Sequence, residues 1–194
     1  MGKAAVFFPG IGYTCDKPLL YYSRKLLRGM GYEDIPVSYS GFPDGVKGNP
    51  EKMRQAARTA LEQAEEILAE TEWEMYDDIL FVSKSIGTVI GAAYAQRHRI
   101  SCRQILFTPV EETFRFPAGN AVAFHGTADP WADTGVIERE CRRLGIPLVE
   151  TEHANHSLET GDIDTDIKTL RKTMKTVRAF VNREPLQNGR RQEE

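Results

Sequence analysis

The chain has 194 residues, and its 25 Lys plus Arg against 28 Asp plus Glu give a formal charge of −3. A composition of 41% hydrophobic and 27% charged residues is typical of globular domains and argues against collagen-like or disordered classes. The near balance of charge argues against a nucleic-acid partner, because nucleic-acid-binding proteins usually carry a concentrated basic face. No segment approaches the roughly 20 apolar residues of a membrane span, so we expect no membrane partner either.

The cysteines and the N-terminus indicate the compartment. Cys15, Cys102 and Cys141 are odd in number and widely spaced, which fits neither a secreted disulfide framework nor a zinc site. The first apolar run, residues 4–8, ends at Pro9 and is too short for a secretory signal. These features predict a cytoplasmic protein.

Short apolar runs alternate with amphipathic stretches along the chain. In chain order, the predicted strands are residues 4–8, 35–39, 79–83, 104–108, 121–125 and 147–151, and the predicted helices are residues 19–30, 51–72, 86–97, 134–144 and 164–182. This alternation predicts an α/β fold, a three-layer sandwich of about six mostly parallel strands with helices on both faces. The predicted domain covers residues 1–182, and the polar residues 183–194 are expected to form a mobile tail.

The third predicted strand leads into Ser83-Lys84-Ser85-Ile86-Gly87 and then into a helix rich in small residues. A sharp strand–turn–helix needs small residues two positions either side of its central serine, because neighbouring backbone approaches closely there. The pattern predicts Ser85 as a nucleophile, with the N–H of Ile86 as the first oxyanion donor. The alternative is that Ser85 only caps the following helix. Lys84 is expected to be a solvated residue of the turn rather than a base.

Two later segments supply partners for the serine. HGTADPW follows the fifth predicted strand and contains Asp129, and EHANHSLE follows the sixth and contains His156. Loops at the carboxyl ends of parallel strands converge on one crevice, so Ser85, Asp129 and His156 can meet there.

Each of these partners has a competitor. His153 lies in the same loop as His156 and competes as the base, whereas His125 is expected to be structural. Asp133 competes with Asp129 but suits the N-cap of the next helix. A metal site at His153 and His156 lacks a third ligand at a recognisable spacing, so no metal is expected.

The segments SKSIG, HGTAD and ANHSLE, in this order and each after a strand, resemble those of small α/β-hydrolases of the dienelactone-hydrolase-like group. The resemblance extends over nearly the whole chain and implies a single-domain α/β-hydrolase-like fold. It further implies Ser85 as nucleophile, Asp129 as the acid that orients the base, and His156 as the base, with no cofactor. The segment FPGIG matches the family's HG-x-G segment with Pro9 in place of histidine, so Ile11 would supply the second oxyanion N–H, with Gly12 as the alternative donor.

Only residues 109–120 separate the fourth and fifth predicted strands, which is too short for a lid domain. We therefore expect an open site and a small-molecule acyl substrate, cleaved at an ester, thioester or lactone bond through an acyl-enzyme. Because the base must be neutral, activity is expected to rise with pH through a pKa of about 6.5–7. The protein is expected to be a monomer or small homo-oligomer. The predicted substrate-binding residues are Gly12, Tyr13 and Trp131, and Val110, Phe114 and Phe116 are further candidates for the pocket wall.

Two other functions compete with hydrolysis. Gly10-Ile11-Gly12 after a first strand, with Glu33 or Asp34 further along, partly matches a dinucleotide-binding fingerprint, but Cys15 occupies the third glycine position. The chain could also be a binding or scaffold protein on a hydrolase-like fold, since fold does not imply function.

Overall fold

The strands form one parallel sheet in the computed structural model, which describes residues 2–46, 49–117 and 119–186. The strands of that part of the chain are β1 (Gly2–Phe8), β2 (Glu33–Pro36), β3 (Tyr76–Lys84), β4 (Arg103–Phe107), β5 (Asn120–Gly126) and β6 (Leu148–Thr151). Their order is β2-β1-β3-β4-β5-β6, and every neighbouring pair is parallel. The helices are α1 (Pro18–Gly29), α2 (Pro50–Leu68), α3 (Ile86–His98), α4 (Thr134–Leu144) and α5 (Ile163–Val181).

Helices cover both faces of this sheet, which confirms the predicted three-layer sandwich. Residues 79–82 of the central strand β3 are apolar without alternation, as expected where both faces of a strand are buried. Leu80 and Val82 face a core shared with α1 and α5, whereas Ile79 and Phe81 face a core shared with α2 and α3. Helix α4 packs over the same face as α2 and α3, against β4 and β5.

Helix ends follow the capping residues in the sequence. The side chain of Asn49 accepts hydrogen bonds from the first amides of α2, and Gly145 ends α4 in the left-handed conformation with φ of 67°. The carboxylate of Asp133, the competing acid, accepts a hydrogen bond from the backbone N–H of Val136 at 2.9 Å. Asp133 is therefore the N-cap of α4.

The largest differences from the predicted bounds are in β2, β3 and α2, and β3 begins at Tyr76 rather than residue 79. Strand β2 ends at Pro36 rather than continuing to residue 39. It is an edge strand, and after Pro36 the only backbone hydrogen bond to β1 among the described residues is from the N–H of Val37 to the Phe7 carbonyl. Helix α2 ends at Leu68 rather than residue 72, and a 3₁₀ turn, Trp73–Met75, leads into β3.

The connection between β4 and β5 contains, in its described residues, only the 3₁₀ turn Glu111–Arg115, so no lid domain covers the carboxyl edge of the sheet. After α5, the amides of Arg183 and Glu184 bond back to the end of the helix, and Leu186 packs against the core. The rest of the predicted tail, residues 187–194, lies outside the described residues. None of the described helices is both long and apolar enough to cross a bilayer.

Candidate active site

Ser85 lies in a sharp turn between β3 and α3. Its φ of 57° and ψ of −126° are strained for a residue with a side chain, and such strain persists only where the surroundings enforce it. Its N–H donates to the Phe107 carbonyl at 3.0 Å, and its carbonyl accepts from the Thr88 N–H at 2.9 Å. The side chain makes no capping hydrogen bond to α3, so the hydroxyl is not used as a helix cap.

Glycines allow neighbouring backbone to reach this turn. A Cβ on Gly87 would lie 2.1 Å from the Phe8 carbonyl oxygen, which no side chain can accommodate. A Cβ on Gly10 would lie 3.2 Å from the Cβ of Ser85. The loop after β1 therefore packs directly against the serine turn.

Ser85, His156 and Asp129 form a continuous hydrogen-bonded chain at the carboxyl edge of the sheet. Nε2 of His156 lies 2.7 Å from Oγ of Ser85, and Nδ1 lies 2.7 Å from Oδ2 of Asp129. Since a carboxylate only accepts, Nδ1 carries the proton and Nε2 accepts from the serine hydroxyl. The imidazole is thus in the tautomer that can remove a proton from Ser85.

Contacts from several loops hold the acid and the imidazole in place. The side chain of Asp129 is fully buried, and its Oδ1 accepts the backbone N–H of Trp131 at 2.8 Å. The Trp131 ring stacks on His156 with centroids 5.5 Å apart. The hydroxyl of Thr108, at the end of β4, donates to the His156 carbonyl at 3.0 Å, a contact that sequence reasoning missed.

The structure places the competing histidines elsewhere. The backbone N–H of His153 donates to the Thr127 hydroxyl, and no ring contact of His153 with the serine or the acid is seen among the described residues. His125 is fully buried with Nε2 at 2.9 Å from the Thr134 hydroxyl. Its Nδ1 is 3.9 Å from Asp129, beyond hydrogen-bonding distance.

The pKa values of the acid and the imidazole both lie below their ordinary values. Burial raises the pKa of Asp129, but hydrogen bonds from His156 and Trp131 lower it more. For His156, burial lowers the pKa more than the hydrogen bond to Asp129 raises it. The imidazole is therefore neutral at neutral pH, and Asp129 is ionised.

Backbone donors flank the serine. Residues 10–13 form a tight turn closed by two hydrogen bonds between Gly10 and Tyr13, with Gly12 at φ of 71°. The N–H groups of Ile11 in this turn and of Ile86 at the start of α3 have no acceptor among the described residues. Both residues border the cavity that contains Ser85.

This cavity has a volume of about 230 Å³. The predicted Gly12, Tyr13, Trp131 and Val110 line it, but Phe114 is buried against α4 and Phe116 lies outside the cavity. Met53, Lys84 and Ser157 complete the lining and were not expected there, because no local motif marks them. The full lining is Ile11, Gly12, Tyr13, Met53, Lys84, Ser85, Ile86, Val110, Trp131, His156 and Ser157.

Lys84 contradicts its prediction as a solvated residue. It is only 1% exposed, with Nζ 4.9 Å from the centroid of the Tyr13 ring. Burial lowers the pKa of Lys84 to about 7, although Asp129 and Glu159 act in the opposite direction. The prediction failed because the loops after β1, β5 and β6 fold over the end of β3.

The residues of the partial dinucleotide fingerprint have other partners. The turn at residues 10–13 closes on itself, and α1 begins only at Pro18, so its N-terminus does not directly follow the turn. The Asp34 carboxylate accepts from Arg24, and the Glu33 carboxylate accepts from the Tyr76 hydroxyl.

No protein-family model and no curated protein matches this chain. Solved structures do resemble it. An alpha-beta serine hydrolase homologue from Coxiella burnetii is 16% identical, with a TM-score of 0.63 and coverage of 88% of this chain and 84% of that one. An a/b serine hydrolase without lid from Xanthomonas campestris is 15% identical, with a TM-score of 0.53 and coverage of 89% and 80%. Esterase 2 of Thermogutta terrifontis is 20% identical, with a TM-score of 0.57 and coverage of 92% and 82%. The chain has the α/β-hydrolase fold.

Proposed function

We propose that the protein is a serine hydrolase that cleaves a small or accessible ester, thioester or lactone through an acyl-enzyme on Ser85. The observation that carries the proposal is the hydrogen-bonded chain from Ser85 through His156 to Asp129, with both distances at 2.7 Å. A neutral imidazole held between a serine hydroxyl and a buried carboxylate is the arrangement that activates serine for acyl transfer.

In the proposed first step, Oγ of Ser85 forms a bond to the substrate carbonyl carbon while His156 takes its proton. The N–H groups of Ile86 and Ile11 hold the oxyanion, because both are unpaired and border the cavity. The imidazolium then protonates the leaving alkoxide or thiolate as its bond to the carbonyl carbon breaks, which gives the alcohol or thiol. Asp129 stabilises the imidazolium and fixes its orientation throughout.

In the second step, water replaces the leaving group. His156 removes a proton from the water as the water oxygen bonds to the acyl carbon. It then returns that proton to Oγ of Ser85 as the bond between Oγ and the acyl carbon breaks. The products are a carboxylic acid and the freed alcohol or thiol, or a single hydroxy acid from a lactone, and one water is consumed. These steps require no cofactor.

The size of the site limits the substrate. A cavity of about 230 Å³ is below the roughly 300–1,000 Å³ of pockets for drug-sized ligands, and no lid domain among the described residues extends it. This favours short acyl groups over long lipid chains. The structural similarity to a lidless serine hydrolase and to an esterase supports the same bond type, whereas the closer resemblance to dienelactone hydrolases depends on the sequence motifs.

The proposal is tested by labelling with a fluorophosphonate, which reacts with activated serines, followed by intact mass and peptide mapping. We expect one adduct on Ser85, absent from Ser85→Ala and strongly reduced in His156→Ala. Ser101→Ala is the matched control, because Ser101 is exposed at the opposite end of the sheet, before β4. A folded wild-type protein that forms no adduct would instead favour a binding or scaffold role.

A further inference from the structure

The cavity beside Ser85 contains a buried cation that the proposed acyl transfer does not use. Lys84 is the last residue of β3, is 1% exposed, and lines the cavity together with Ser85 and His156. Its ammonium lies over the face of the Tyr13 ring, 4.9 Å from the centroid. The hydroxyl of Tyr13 is directed to another partner, since it accepts the backbone N–H of Leu19 at 3.0 Å.

No described residue pairs with this ammonium. Apart from its contact with the Tyr13 ring, Nζ of Lys84 has no hydrogen bond and no ion pair within 4.0 Å among residues 2–46, 49–117 and 119–186. Asp129 and Glu159 are near enough to act on it through space. However, the two oxygens of Asp129 already accept from His156 and Trp131. Buried charges in proteins are normally paired, because an unpaired one costs several kcal/mol.

The rest of the lining offers this cation no counter-charge. Lys84 is the one lysine or arginine among the described lining residues, and no aspartate or glutamate lines the cavity. The other walls are mainly apolar or aromatic, and they include Met53, Val110 and Trp131. An anionic group that enters this space would meet one cation in a poorly solvated setting, where charge pairing is strongest.

We propose that Lys84 binds a carboxylate carried by the substrate, so that the preferred substrates are short esters with a free carboxylate a few carbons from the scissile bond. This inference rests on the proposed function, because it concerns the same cavity and the same nucleophile. Lys84 acts here as a specificity-determining residue, and the bound carboxylate supplies the counter-charge that the described lining residues lack.

The titration of Lys84 gives this binding a pH dependence. The titratable groups around it are Tyr13 from the loop after β1, Asp129 from the loop after β5, and His156 and Glu159 from the loop after β6. Burial lowers the pKa of free Lys84 to about 7. A carboxylate binds the protonated amine more tightly than the neutral amine. The affinity of the site for the carboxylate therefore falls as the pH rises above about 7.

The test compares two esters of equal shape and different charge. Monomethyl succinate carries the carboxylate, and methyl 4-methylpentanoate carries an isopropyl group in its place. We expect the wild-type protein at pH 6.5 to favour the anionic ester in kcat/KM by about tenfold or more, a ratio that declines above pH 7. Acetoxyacetate and isobutyl acetate provide the same comparison with the charge on the alcohol side, and a preference in either pair supports the proposal.

Two methionine variants isolate the role of the cation. Lys84→Met removes the charge at nearly constant length, and we expect it to abolish the preference for the anionic ester. Lys25→Met is the matched control, because Nζ of Lys25 also lies 4.9 Å from a tyrosine centroid, that of Tyr21, but on the exposed surface. The control is expected to keep the preference.

Equal or faster turnover of the neutral esters by the wild-type protein would overturn the inference, and so would a preference that persists in Lys84→Met. The wild-type comparison and its pH dependence need no variant, so the inference stays testable if Lys84→Met does not fold. A fluorophosphonate adduct on Ser85 without any charge preference overturns only this inference. Absence of both the adduct and ester turnover overturns the proposed function as well.

Discussion

Asp129 and His156 are 27 residues apart in the chain, and Oδ2 of Asp129 lies 2.7 Å from Nδ1 of His156. The two residues come from the loops that follow β5 and β6, which are neighbours in the sheet. A Cβ on Gly126 would lie 2.3 Å from the Ala154 carbonyl oxygen, so a glycine is needed for these loops to pack together. The acid–imidazole pair therefore depends on this close packing.

Replacing the acid should disable the imidazole without removing it. In Asp129→Asn, the amide can donate to Nδ1 and favour the wrong tautomer, so we expect kcat for a good ester to fall on the order of 10³–10⁴-fold. Asp133→Asn is the control, because Asp133 caps α4 and asparagine caps equally well. Kinetics of both variants on one chromogenic ester measure the effect, and wild-type activity in Asp129→Asn would contradict the assignment.

The pKa that governs activity at acid pH should lie below the range of about 6.5–7 that the sequence alone predicted. Burial lowers the pKa of His156 below its ordinary value of about 6.5. The base is active when deprotonated, so kcat/KM for a neutral ester should be constant near pH 7 and fall only as the pH drops below about 6.5. A pH–rate profile from about pH 4.5 to 8 measures this limb. An acid limb centred above 6.5, or no limb at all, would count against His156 as the base.

Lys84 should lower stability in the protein without ligand. Its pKa is about 7 in the folded chain and about 10.4 in the unfolded chain, so between these values the unfolded state binds more protons. Burial of the charged amine therefore lowers the free energy of unfolding by its full amount below about pH 7. This loss of stability becomes smaller as the pH rises and disappears above about 10.4. We expect Lys84→Met to raise the free energy of unfolding by a few kcal/mol at pH 6.5, with a smaller gain at pH 9.5.

Urea denaturation at the two pH values measures this difference. The exposed control Lys25→Met should change the free energy of unfolding by less than about 0.5 kcal/mol at either pH. A destabilised Lys84→Met at pH 6.5 would show that the ammonium has a stabilising partner.

Gly87 should tolerate no side chain. A Cβ there would lie 2.1 Å from the Phe8 carbonyl oxygen and 2.5 Å from that of Pro9, and neither backbone atom can move without shifting the end of β1. We expect Gly87→Ala to lose more than about 3 kcal/mol of stability or to fail to fold. Gly29→Ala is the matched control, because a Cβ on Gly29 meets nothing within 4 Å and alanine favours the helix. Thermal denaturation compares them, and similar midpoints would contradict the close approach.

The parallel sandwich and the positions of its helices could be predicted from the sequence, because apolar periodicity and capping residues act locally. The bounds 134–144 of α4 agree with the prediction, since Asp133 and Gly145 mark both ends. The bounds of β2 were predicted less accurately, because the length of an edge strand depends on its pairing with the neighbouring strand rather than on its own apolar run.

For the candidate site, the sequence by itself determined that a serine turn, an aspartate and a histidine follow three strands in order. Parallel strands bring their carboxyl ends to one edge, so these residues had to lie near one another. The family resemblance already favoured His156 over His153, and the hydrogen bond from Ser85 to His156 agrees with that choice. Only the tertiary structure decided that Met53 lines the cavity and that Lys84 is buried. The physical reason is that burial and hydrogen bonding of a side chain depend on the loops that pack over it, and those loops come from distant parts of the chain.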